Sequence, residues 1–421
     1  MRFRVSRLAP LALAFGLLPA NPATAADPHL WTGQGSQSIP PTAREILRSR
    51  RVVVDLAALR GPSNRRLRVP LFGGLEALLV KDREDRSRPN TFLWIGHVDG
   101  DPGSVAILAT VGDAVAGTIL TRWRQRRLAT YELRDLGNRK WILSQIAAFR
   151  FLRDAAPATP EILEIPPPEP CPSDTGSTID LLLPYTDDVL AAASSKEAVE
   201  ADLLVATELI NATFGQSGIT PRVHLVKTQK VDYTESRIAA TDLGRLTNPG
   251  DGALDDLHGL REATATDVVV LIVQRIDGSC GRANLTDPVT PASAPLAFAV
   301  VRKGCAANNL SLAHEIGHIL GARHDRFSDG TPQAAGFQFG HVEMQPASPG
   351  VPWYTVMATH LQCEGLQVGC DRIPFWSNPE MKAPPDFGGN DLGTDAENNT
   401  RQIHTAAPVA AKFRCSALRT N

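Results

Sequence analysis

The chain predicts two bodies of structure in series: a mostly β domain, then an α/β domain with a mixed sheet and one functional helix. Three observations carry this. From Asp27 to Arg153, short apolar runs alternate with Gly-Asp and Pro-Gly turn signals, as strands do. A proline-rich stretch, Pro157 to Pro172, then interrupts the pattern and keeps the chain extended. Beyond it, strand-like runs alternate with helical patterns. One of them, Asp267 to Val273, is continuously apolar, as in a strand buried on both faces.

Composition narrows the class. A chain of 421 residues can build two or three domains with cores of their own. A net charge of −2 and a hydrophobic content of 43% are ordinary for a soluble protein and call for neither nucleic acid nor a membrane surface.

Residues 1–25 read as a signal peptide. Arg2, Arg4 and Arg7 give a basic start, Leu8 to Leu18 is an apolar run too short to span a bilayer, and Ala23-Thr24-Ala25 supplies small residues for cleavage. The expectation is a secreted protein, extracellular or periplasmic, with no stable membrane anchor.

Residues 26–156 form the β domain, with strands expected at 52–54, 75–80, 91–95, 104–110, 117–120 and 140–143. Residues 157–176 are the linker. The α/β domain fills 177–421. Its expected elements are a strand at 179–184, one long helix at 187–215 and a strand at 222–226. A helix interrupted near Asn248-Pro249-Gly250 and the central strand follow. Asn308 or Asn309 is a good cap for the next helix, and Thr400 to Phe413 has the pattern of a last one.

All six cysteines lie in or just before this second domain: Cys171, Cys280, Cys305, Cys363, Cys370 and Cys415. An even set in an exported chain reads as disulfides. The expected pairs are Cys280–Cys305, Cys363–Cys370 and Cys171–Cys415, one of many connectivities that six cysteines allow.

The chemistry is concentrated in His314-Glu315-Ile316-Gly317-His318-Ile319-Leu320-Gly321-Ala322-Arg323-His324-Asp325. Residues four apart share a helix face, so His314 and His318 present two imidazoles to one point. Leu312, Ile316, Ile319 and Leu320 fall on the opposite side and can bury it. Gly321 permits a left-handed turn out of the helix, which lets His324 come back as a third ligand. Three neutral imidazoles with an open fourth position describe a catalytic zinc site. Glu315, on the flank of the histidine face, is placed to act as general base and then acid in peptide hydrolysis.

The spacing HExxHxxGxxHD resembles the zinc signature of the metzincin metallopeptidases. Asp325 after the third histidine is similar to the reprolysin-like branch, and within it to bacterial secreted peptidyl-Asp metalloendopeptidases. The resemblance implies a metzincin-like catalytic domain, one catalytic Zn2+, and protein or peptide substrates cut before Asp. It makes Tyr354-Thr355-Val356-Met357-Ala358 the Met-turn beneath the zinc. Thr359 stands where some relatives carry a tyrosine near the metal.

The resemblance further implies that Leu296 to Lys303 is the edge strand, with Ala299 and Val300 receiving the substrate's main chain. The segment after Cys370 walls the pocket for the residue following the cut, and Arg372 is the candidate cation there. Trp94-x-Gly96-x-Val98-x-Gly100-Asp101, followed by Ser104, resembles a reprolysin-type propeptide. The β domain would then be the enzyme's own inhibitor. The alternative from another class is a secreted binding or adhesion protein that retains the zinc fold.

Overall fold

The computed structural model describes residues 27–39, 43–125, 127–147, 150–160, 176–330, 336–348, 350–364 and 369–415. The expected leader and Cys171 lie outside the described residues.

The first domain is one nine-stranded sheet in the order β1-β2-β9-β8-β7-β6-β5-β4-β3. Its strands are β1 (Trp31–Ile39), β2 (Ile46–Val54), β3 (Arg66–Pro70), β4 (Glu76–Asp85), β5 (Thr91–Val98), β6 (Asp101–Val111), β7 (Ala114–Thr121), β8 (Ala129–Asp135) and β9 (Trp141–Ile146). All neighbours are antiparallel. A short helix, α1 (Leu56–Arg60), follows β2, capped by the Asp55 side chain on the Ala58 N–H. The sheet curls until its ends meet: the Leu30 N–H reaches the Arg68 carbonyl at 2.9 Å. Curling removes edges that would otherwise stand unpaired.

Inside, Trp31, Trp94, Trp141 and Tyr131 fill the core. The opposite face of β5, β6 and β7 is apolar too, through Leu93, Ile95, Val105 and Ile107, and packs against the second domain. Two-sided burial explains why β6 and β7 show no polar alternation.

The second domain is a five-stranded sheet, β11-β10-β12-β14-β13. Its strands are β10 (Thr178–Thr186), β11 (Arg222–Val231), β12 (Val268–Val273), β13 (Gly281–Ala283) and β14 (Phe298–Arg302). β13 is antiparallel to β14, and the other pairs are parallel. The helices are α2 (Asp187–Ala191), α3 (Lys196–Gln216), α4 (Ala239–Thr247), α5 (Asp256–Ala263), α6 (Lys303–Ala306), α7 (Ser311–Ile319) and α8 (Asn399–Ala410).

Three expectations are corrected. The long helix is two, because Ser195 caps a fresh start on the Ala198 N–H and the chain breaks before it. The helix carrying the motif starts after Leu310, whose φ of 58° turns the chain without a side-chain cap, so neither Asn308 nor Asn309 is the cap. Most consequential, the edge strand is β13, not residues 296–303. β14 lies between β12 and β13, its main-chain groups are spent on both, and Ala299 and Val300 are fully buried. They cannot receive a substrate's main chain.

Candidate active site

α7 buries all nine of its residues, so it can present histidines only to a site enclosed within the protein. His314 and His318 lie one turn apart on it. Gly321, at φ 77°, ends the helix in the left-handed region and turns the chain towards His324. A Cβ there would meet the Thr286 carbonyl at 3.0 Å and Gln402 closer still, so the turn is also too tight for a side chain.

The three histidines converge. The Nε2 atoms of His314 and His324 are 3.0 Å apart, and each lies 3.1 Å from the Nε2 of His318. Backbone carbonyls lie against two of the other ring nitrogens: His314 Nδ1 is 2.8 Å from the Val356 oxygen, with the Arg372 guanidinium also 2.5 Å from it, and His318 Nδ1 is 2.8 Å from the Ala322 oxygen. A proton on Nδ1 leaves the Nε2 lone pair free for a metal. Burial pushes His314 and His318 well below the usual histidine range and His324 down to about 3, which keeps all three neutral.

This donor set fits zinc. A tetrahedral site with bonds of about 2.05 Å has an edge of about 3.3 Å, close to the observed spacing. Three lone pairs facing one point repel unless a cation lies among them. Beside them, both carboxylate oxygens of Glu315 are buried without a hydrogen-bond partner, and buried polar atoms are rarely left so. Burial, reinforced by the charge of Asp154, raises the Glu315 carboxyl well above the usual range.

Two glycines make room. A Cβ on Gly281 of β13 would stand 2.6 Å from Glu315 Oε1. One on Gly317 would meet the Met357 sulfur and, at 3.0 Å, the Trp376 ring. Met357 is fully buried and packs against the helix at Gly317.

Asp325 ties the strand after the third histidine to the turn around Met357. Its carboxylate accepts the Thr359 and Ser328 N–H groups and the Gln362 amide, each at 3.0 Å. His360 stands apart from the triad, 3.5 Å from Glu364.

Arg372, the cation that the resemblance suggests for the pocket, is buried beside His314. It donates to the Asn309 carbonyl at 2.7 Å and to the Val356 carbonyl that also holds His314. The disulfide Cys363–Cys370 closes the loop just before it, and Cys280–Cys305 fastens the start of β13 to α6. Both pairs match expectation. Cys415 is also disulfide-bonded.

Sequence reasoning missed Asp154. It lies 160 positions before the motif, in a stretch with no distinguishing pattern. Yet its carboxylate sits 2.8 Å from Arg372 and 4.0 Å from His314 Nδ1.

An α/β domain in which one helix brings two histidines and a carboxylate to a third histidine beyond its end has the site of a zinc-dependent metalloendopeptidase. Residues 175–351 match the metallo-peptidase family M12B, reprolysin-like. The chain is 33% identical over 321 residues to a peptidyl-Asp metalloendopeptidase of Stenotrophomonas maltophilia (strain R551-3), covering 74% of this chain and 71% of that one. It is 31% identical over 324 residues to the peptidyl-Asp metalloendopeptidase of Xanthomonas campestris pv. campestris, covering 74% and 70%. The chain belongs to the reprolysin-like metallopeptidases, together with these bacterial enzymes. Among the described residues, no helix is long and apolar enough to cross a membrane.

Proposed function

We propose that the protein is an exported zinc endopeptidase, made as a latent proenzyme, that hydrolyses peptide bonds on the amino side of aspartate. The observation that carries the reading is the convergence of His314, His318 and His324 beside an unpartnered Glu315.

His314, His318 and His324 would hold the ion. When bound, zinc supplies Lewis acidity that polarises a carbonyl and makes water a stronger acid. Glu315 takes the proton from the attacking water and delivers it to the departing amine. β13, the edge strand, offers main-chain groups with which an extended peptide can pair as an added strand.

Preference for aspartate rests on Arg372. A guanidinium buried against the ligand His314 is a strong reader of a carboxylate, because it pairs in a fixed geometry where water cannot compete. The names of the bacterial relatives agree with this assignment. The β domain, as propeptide, covers the catalytic domain before activation, and its basic N-terminal leader directs export.

The test is digestion of a mixed peptide library by the activated protein, with and without a chelator, read by mass spectrometry. Chelator-sensitive cuts before Asp are expected. Cuts before other residues would remove the specificity. No cuts from folded, zinc-loaded, propeptide-free protein would turn the reading to the binding protein.

A further inference from the structure

The segment after the nine-stranded sheet does not leave the molecule. It runs alongside β13. The Cys280 N–H donates to the Arg153 carbonyl at 3.1 Å, and the Ala155 N–H donates to the Gly281 carbonyl at 2.9 Å. Further on, the Ala158 N–H donates to the Ala283 carbonyl at 2.8 Å, and Ala158 accepts from the Leu285 N–H at 2.7 Å. Ala158 and Asn284 form a parallel bridge. The chain's own segment thus takes the place at the sheet edge that an added peptide strand would take.

One side chain of this segment enters the site. Asp154 is 3% exposed, its Oδ2 pairs with Arg372 at 2.8 Å, and its carboxylate lies with His314 and Glu315 in one cluster of potential ligand atoms. We infer that Asp154 is a built-in stand-in for the substrate's aspartate: it fills the Arg372 pocket and so keeps the proenzyme latent. This rests on the peptidase reading above and adds to it the residue that blocks the pocket.

The pairing is stringent for a physical reason. Arg372 is 5% exposed, and a buried cation needs a counter-charge. Its other named partners, the carbonyls of Asn309 and Val356, are neutral. Asp154 supplies the charge in the latent chain, and a substrate aspartate supplies it in the active one.

The occupant is not arranged to be cut. A cut before Asp154 would require the Arg153 carbonyl oxygen to face the three histidines, but that oxygen accepts the Cys280 N–H instead. Asp154 therefore blocks the pocket without presenting its own bond.

The experiment uses the full-length, zinc-loaded chain. Wild type should turn over an internally quenched Asp-containing peptide poorly. Asp154→Ala, checked for folding by its thermal transition, should turn it over at least about tenfold faster before any chain cleavage, because the pocket's charged occupant is gone. Asp154→Glu, which restores the charge, should recover part of the latency.

A second measurement needs neither a variant nor turnover. Excess free Asp-containing peptide should displace the segment in wild type and speed trypsin cleavage after Arg153. The same peptide with Asn should not. A folded Asp154→Ala chain as latent as wild type, or Asp and Asn peptides exposing Arg153 equally, overturns the inference. If the chain never cleaves peptides but the Asp peptide still exposes Arg153, the peptidase reading fails and the pocket assignment stands.

Discussion

Replacing Gly317 with alanine tests how the helix and the turn beneath it fix the metal ligands. Gly317 lies immediately before His318 on α7, and an added Cβ would overlap the Met357 sulfur and stand 3.0 Å from two Trp376 ring carbons. Ordinary carbon contacts are about 3.5–4 Å, so the sulfur must retreat by more than about 1 Å. Met357 and Trp376 are both fully buried, and little free space surrounds them. Overpacking of this kind costs about 1–3 kcal/mol, against about 1 kcal/mol gained by exchanging glycine for alanine within a helix.

The net expectation is a loss of up to about 2 kcal/mol, read by denaturant melting of the full chain, together with weaker zinc binding, read by competition with a chromogenic chelator. The decisive arm is the double variant. Met357→Ala alone leaves a cavity and is destabilising, but in the Gly317→Ala background it removes the clash. The two changes should therefore couple favourably by about 1 kcal/mol or more. Additive effects, or a Gly317→Ala protein as stable and as zinc-avid as wild type, would refute the packing argument.

Three further outcomes are expected. Glu315→Gln should keep zinc and fold while lowering turnover by about 10²–10⁴-fold, measured on activated protein; retained turnover would remove Glu315 from the mechanism. Stripping the metal with a chelator should lower the thermal midpoint by several degrees and zinc should restore it. Ligand at a hundred times its dissociation constant stabilises by about 2.7 kcal/mol, and an unchanged midpoint would mean that the triad holds no ion.

The third concerns Asp267, which burial pushes up to about 7 although the Asp180 and Arg414 N–H groups donate to it at 2.8 and 3.0 Å. Between about pH 4 and 7 the folded chain keeps a proton there that the unfolded chain has released. This group's contribution is full at the acid end and falls as pH rises, by up to about 1.4 kcal/mol per unit. The destabilisation caused by Asp267→Asn should accordingly shrink from pH 4.5 to pH 7, and urea titrations that show it constant or growing would contradict the assignment.

The helix bearing the histidines was legible because its information is local: two residues one turn apart, then a glycine that lets the chain reverse. The strand from Val268 to Val273 was legible because burial on both faces leaves an unbroken apolar run. Other features were not. β13 is three residues long and carries Gly281-Arg282-Ala283, too short for a periodic signal. Resemblance alone makes Leu296 to Lys303 an edge, and the charges of Arg302 and Lys303 are compatible with one. In the fold, Arg302 pairs with Glu45 of the β domain, and Lys303 with the largely buried Asp202 of α3. Arg372 could be suspected from resemblance, whereas Asp154 could not, because its partner lies 218 residues away. Long-range charge pairing leaves no local trace.

The helix α3 carries one more consequence. It has apolar residues around most of its circumference, because one side rests on its own sheet and the other on β6 and β7. Severing the chain between the two domains would leave that second contact intact, and the two pieces would remain together. A nick alone therefore leaves the β domain seated on α3, and its departure waits on the rate at which that barrel-like sheet unfolds.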